Sequence, residues 1–115
     1  MPRNGVDNRD RDERREDALR PCRRLGYDRD ELGMHLVEYG AAEIAESQFR
    51  RAIWLNPFEP RFKVHLAWCL YKEARRAEAL AYLAEAPDVE MDAEMKTIIR
   101  LIEQGVSRKP VEEGR

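Results

Sequence analysis

The chain has 115 residues, enough for one domain and too few for a large multidomain enzyme. Its 21 basic and 23 acidic side chains leave a net charge of −2, too even a balance to favour general nucleic-acid binding. With no apolar run near the roughly 20 residues of a membrane span, no apolar stretch in the opening MPRNGVDNRDRDERRED and no Cys-x-x-Cys pair, a cytoplasmic chain is expected, without membrane insertion, disulfide framework or zinc site.

Residues 1–27 carry eight arginines against six acids, and Pro21 interrupts the only apolar pair before it, Ala18–Leu19. Such a segment buries too little to offset its ordering entropy, so a mobile charged arm is expected, suited by its mixed signs to salt bridges with a partner or subunit. The ordered domain is expected over residues 28–105. Asp28 and Glu31 have the spacing of a capping box and predict the first helix, which runs through Leu32, Gly33, Leu36 and Val37 to a stop at Gly40. A second helix is predicted over 42–55, on the stripe Ala45, Phe49, Ala52 and Ile53, and ends at Asn56–Pro57. Pro60 suits the first position of a third helix, 60–73; a fourth spans about 76–86 before Pro87. Asp92 caps a fifth, 92–104, with Met95, Ile98, Ile99 and Ile102 on one face and Gly105 closing it. Residues 106–115 have no core-forming content and read as a flexible tail, and no strand pattern occurs. The class is therefore all-α.

Laid over itself at an offset of 34, the chain matches Leu32 with Leu66, Gly33 with Ala67 and Leu36 with Leu70. Ala45 then matches Ala79, Phe49 matches Leu83, and Ala52 matches Ala86. Each pair keeps its size class, as close-packed antiparallel helices require, with Gly33 expected against Ala45 and Ala67 against Ala79.

The pattern L-G-x-x-L, A-x-x-x-F-x-x-A, then Pro57 resembles the tetratricopeptide repeat family, whose unit is a helix-turn-helix of this length. It departs from that family at Arg29 and Lys63, where an aromatic is usual, at Leu36 and Leu70, where Tyr is usual, and at Pro87, which arrives early. The resemblance implies a helix-turn-helix solenoid of two units, about 26–59 and 60–87, with the fifth helix as a C-terminal cap. Two units fall short of the roughly three usually needed for independent stability. Self-association, a partner protein, or the extra helix and part of the arm are the ways to make good the shortfall.

In the third helix Leu66, Ala67 and Leu70 form the packing face, while Arg61, Val64, Trp68 and Tyr71 share another. By resemblance to the family, that second face and its counterparts Tyr27, Asp30, Met34 and Val37 line a concave groove. Its expected floor is Met34, Val37, Val64, Trp68 and Tyr71, edged by Arg61, Lys72 and Asp30. Covering Trp68 is worth at most about 5 kcal/mol, so either a partner or the chain's own C-terminal helix or arm is expected to cover it. The inward faces lack the basic and Asn cluster with which family members grip a C-terminal carboxylate. Trp54 and Phe58 form a secondary candidate, either a docking patch or a plug over the Asn56–Pro57 turn, and Phe62 reads as core.

His35 and His65 lack a second ligand at metal spacing, and His35, matched to Cys69, reads with it as a packing residue. Glu43, Glu46, Glu73, Glu78 and Glu85 fall on outward positions, and no phosphate loop, nucleophile elbow or metalloprotease motif occurs. The expected function is therefore binding, without catalysis, metal or cofactor: a small adaptor, chaperone or assembly subunit holding an apolar or helical segment of a partner protein. The alternative is a structural subunit that stacks through its repeats into a homo-oligomer or filament.

Overall fold

The computed structural model describes residues 21–85 and 91–105. Five helices follow one another, with no strand among the described residues: α1 Tyr27–Glu38, α2 Ala42–Leu55, α3 Pro60–Lys72, α4 Arg76–Glu85 and α5 Ala93–Gln104. Consecutive helices pack as hairpins, α1 on α2 and α3 on α4, while α3 also meets α1, α2 and α5. That central position explains why Phe62, Val64, Leu66, Ala67, Cys69 and Leu70 are all fully buried. Expectations for Ala86, Pro87, most of the arm and the 106–115 tail lie outside the described residues.

The two hairpin turns repeat each other bond for bond. After α1, the Gly40 N–H donates to the Val37 carbonyl at 3.0 Å and the Ala41 N–H to the Leu36 carbonyl at 2.8 Å. After α3, 34 positions on, Ala74 donates to Tyr71 at 3.0 Å and Arg75 to Leu70 at 2.9 Å. Both are the double closure that uses up a helix's last carbonyls and needs a left-handed residue. Gly40 supplies it freely at φ 85°, whereas Ala74 is held at φ 65° with a Cβ in the way. The sequence pattern marks the glycine and gives no hint of the strained alanine.

The other helix ends follow local chemistry. Pro60 opens α3 at a position that has no amide to satisfy, and the Glu59 carboxylate accepts from the Arg61 N–H at 3.1 Å. Asp92 caps α5 by accepting from the Met95 N–H at 2.8 Å, and Gly105 closes it at φ 73°. The capping box expected at Asp28 is not formed. The chain enters α1 through left-handed Gly26 (φ 94°), the helix starts at Tyr27, and no side chain caps it. A Cβ on Gly26 would stand 2.8 Å from the Phe62 ring and 2.9 Å from the Ala52 carbonyl, so packing also demands glycine there.

Residues 21–26 are not part of a free arm. The Cys22 N–H donates to the Leu55 carbonyl at 2.9 Å, and the buried Asn56 side chain donates to the Arg23 carbonyl at 3.1 Å. Arg23 stacks on Phe58 at 4.4 Å. The segment thereby seals the end of α2 and explains why Asn56 can be buried.

Gly33 faces the Phe49 ring: a Cβ there would lie 2.6 Å from a ring carbon. Two packing expectations need correction. Leu32 is 45% exposed although its counterpart Leu66 is fully buried, and His35 is exposed although Cys69 is buried. The reason is position: α2 lies against α3, and the described chain lays no matching helix against α1. The glutamates differ as well. Glu46 and Glu73 are half-buried, with Arg75 donating to Glu46 at 2.8 Å and to Glu73 at 3.1 Å, and Arg50 joining Glu46 at 2.7 Å. Arg50 also donates to the Tyr82 hydroxyl at 2.6 Å, so these ions tie α2 to the second hairpin.

Candidate functional site

The expected groove is divided by α5. Met95, Ile98 and Ile102 on the inner face of α5 join Val64 and Tyr71 in the main core cluster, and Val64 is fully buried. Val64 and Tyr71 are thus structural parts of the core, not a wall open to a ligand. A helix with this much apolar residue on one side buries it against the nearest apolar surface, here α3.

The remaining open part lies between the end of α1 and the end of α3. Met34, Val37, Glu38, Gly40, Ala42, Trp68 and Lys72 line a cavity of about 560 Å³. Its floor is Val37 and half-buried Met34, and its side wall is the half-buried Trp68 ring. The ring has two neighbours on its own helix: Tyr71 lies 5.8 Å away, centre to centre, and the Lys72 ammonium sits 4.8 Å from its centroid. Glu38 and Lys72 place opposite charges at the rim. Four of the seven expected groove residues, Met34, Val37, Trp68 and Lys72, therefore meet at one cavity.

Arg61, the seventh, faces elsewhere. Its guanidinium pairs with Asp92 at 2.9 Å and stands at the meeting of two shallower clefts, one lined with Glu59, Met91, Met95 and Lys96. The other cleft, about 380 Å³, contains the least expected feature of the molecule. His65 is buried, and its Nδ1 lies 2.8 and 2.9 Å from the two oxygens of buried Asp30, while Nε2 lies 3.2 Å from Glu94. A carboxylate at each ring nitrogen can be satisfied at both only if both nitrogens carry protons. Burial pushes the imidazole towards neutrality, but the hydrogen bonds it donates to Asp30 and then Glu94, with the charges of those carboxylates, outweigh burial and hold the pKa above its ordinary value. The ring thus fastens α1, α3 and α5 together. Asp30 was expected at the groove edge and is instead the buried partner of this clasp. The 35-residue separation of Asp30 and His65 matches no local motif, which is why the sequence does not reveal it.

The two thiols differ in what engages them. Burial first, then the Glu73 and Glu46 charges, push the Cys69 thiol up to about 12, and its Sγ donates to the Ala42 carbonyl at 3.0 Å. Cys22, by contrast, lies near the surface, and the Arg24 amide and guanidinium lower its pKa. Among the described residues no group of three or more His, Cys, Asp or Glu is arranged to hold a metal ion, and no helix is long and apolar enough to cross a membrane. Trp54 and Phe58 are each about half exposed, at 48% and 47%, with Arg51 stacked on Trp54 at 5.3 Å. Trp54 stands in the last turn of α2, and Phe58 lies in the α2–α3 turn itself. Comparison with protein-family models, with characterised proteins and with solved structures returns no significant match for this chain.

Proposed function

We propose that this protein is a binding module: two tetratricopeptide-like units and a capping helix that take up an apolar segment of another protein. The cavity between α1 and α3 is the observation that carries this reading. It combines an apolar floor with an aromatic wall already fixed by Tyr71 and Lys72, so little ordering entropy remains to oppose a ligand. The duplicated turn hydrogen bonds at an offset of 34 support the two-unit description. About 560 Å³ is room for one or two large apolar side chains, as an amphipathic helix would present them. Glu38 and Lys72 at the rim favour a segment with a basic residue on one flank and an acidic one on the other.

The reading rests on binding rather than catalysis because His65 has both ring nitrogens engaged and Cys69 is a buried thiol. A partner that buries the exposed part of Trp68, which is at most about a third of the side chain, gains up to about 2 kcal/mol from it. The test is capture of the partner by purified protein. Trp68→Ala is expected to lower affinity at least tenfold at unchanged helicity, while Trp54→Ala leaves it within twofold. Equal capture by wild type and Trp68→Ala would remove the cavity from the account.

A further inference from the structure

The outward face of α1 is built like an interface inside the molecule, yet nothing described covers it. Asp28, Leu32, His35 and Tyr39, at steps of 4, 3 and 4, share that face. Leu32 is 45% exposed and Tyr39 85%, and Ile44 beside them on α2 is 62% exposed. The Arg29 guanidinium donates to Gln48 at 3.1 Å; Arg29 lies one turn before Leu32 and Gln48 one turn after Ile44, so the two apolar residues flank this bond on one side of the hairpin. The counterparts of Leu32 and His35, 34 positions on, are Leu66 and Cys69, both fully buried on a helix packed against α2.

The far end of the molecule is finished differently. There α5 turns Met95, Ile98 and Ile102 inward and leaves Lys96, Thr97, Arg100, Glu103 and Gln104 exposed. Arg76 locks its last turn by donating to the Ile102 carbonyl at 2.8 Å and the Glu103 carbonyl at 2.7 Å. A copy that stacked its apolar α1 face on that end would meet charge, so that end offers no matching surface for head-to-tail growth, and a like-to-like contact is favoured.

We propose that a second copy of this chain covers the α1 face, the two α1 helices lying antiparallel about a two-fold axis between Leu32 and His35. The spacing 4, 3, 4 reads the same in both directions, so this axis sets Leu32 of each copy against His35 of the other and Asp28 against Tyr39. The Tyr39 hydroxyl then donates to the Asp28 carboxylate, and the opposed helix dipoles favour the pairing. Leu32, Tyr39 and Ile44 together expose roughly 300–400 Å² per copy, the size of an interaction patch and enough for the centre of an interface that buries about 800 Å² on each side. The contact is closed, giving a dimer and no filament. The cavity at Met34 and Val37 lies on the opposite side of α1, so pairing leaves it open.

Sedimentation equilibrium of the full chain from 1 to about 200 μM (the range in which transient and stable pairs separate) tests this. Wild type is expected as a monomer–dimer equilibrium, Leu32→Glu as a monomer of unchanged helicity. Asp28→Lys and Tyr39→Glu are each expected to weaken pairing at least tenfold, and their combination to restore it to within threefold. Wild type that stays monomeric throughout, as it would if the chain's own residues covered Leu32, overturns the proposal. So does growth beyond two copies, a dimer that survives Leu32→Glu, or a double variant no better than the singles.

Discussion

Gly33→Ala sets two effects of known size against each other. Alanine in a helix interior is favoured over glycine by about 1 kcal/mol. Against this, the new methyl would lie 2.6 and 2.7 Å from two carbons of the Phe49 ring, some 0.8 Å inside the 3.4 Å where ordinary contact begins. Phe49 is fully buried, so the ring has no free space to retreat into, and overpacking of this kind costs about 1–3 kcal/mol. The net expectation is a loss of about 1 kcal/mol. Phe49→Leu alone leaves a void and loses about 1–2 kcal/mol. The double variant Gly33→Ala/Phe49→Leu removes the clash and recreates the pair that stands 34 positions on, Ala67 with Leu83. It is expected to be more stable than the sum of the singles by at least about 1 kcal/mol. Urea unfolding followed by circular dichroism at 222 nm measures the full cycle. A Gly33→Ala protein more stable than wild type, or strictly additive singles, would refute the argument that Gly33 is required by the ring.

Ala74→Gly, which relieves the left-handed alanine at φ 65°, is expected to raise stability by about 1 kcal/mol. Gly40→Ala, at φ 85° with open space around the new methyl, should lower it by a similar amount through the backbone alone; urea midpoints check both. The His65 clasp gives a pH dependence of defined sign. Its pKa is raised on folding, so its stabilisation is complete below pH 6.5, the ordinary histidine value, and is lost as pH rises through the higher folded-state value. The wild-type urea midpoint should therefore fall across that window, and the slope should be absent in His65→Gln. Thiol alkylation should modify Cys22 readily and Cys69 only on unfolding, read by peptide mass after a timed pulse.

Four helix ends were legible because each is set locally: Pro60, Asp92, Gly40 and Gly105 act on their own turns, unlike the start of α1 at Gly26, which packing against Phe62 fixes. The same holds for the apolar stripe of α2, whose Ala45, Phe49 and Ala52 are fully buried. What depends on neighbours was not legible. Leu32 and Leu66 are the same residue at matching positions, and only the presence of α2 beside α3 makes one core and the other surface. Val64 and Trp68 share a helix face, yet α5 takes Val64 into the core and leaves Trp68 only partly buried, at the cavity. His65 needed Asp30 and Glu94 from two other helices to become a clasp, and separations of 35 and 29 residues carry no periodic signal.

The most direct test of the binding account uses Trp68 as its own reporter. In Trp54→Phe protein it is the only tryptophan, at the wall of the cavity, and its emission can be followed as a synthetic amphipathic helix with leucines at alternating steps of three and four is added. A saturable blue shift that Met34→Glu abolishes is the predicted result. Emission that stays unchanged, or that shifts equally in the Met34→Glu protein, would contradict it.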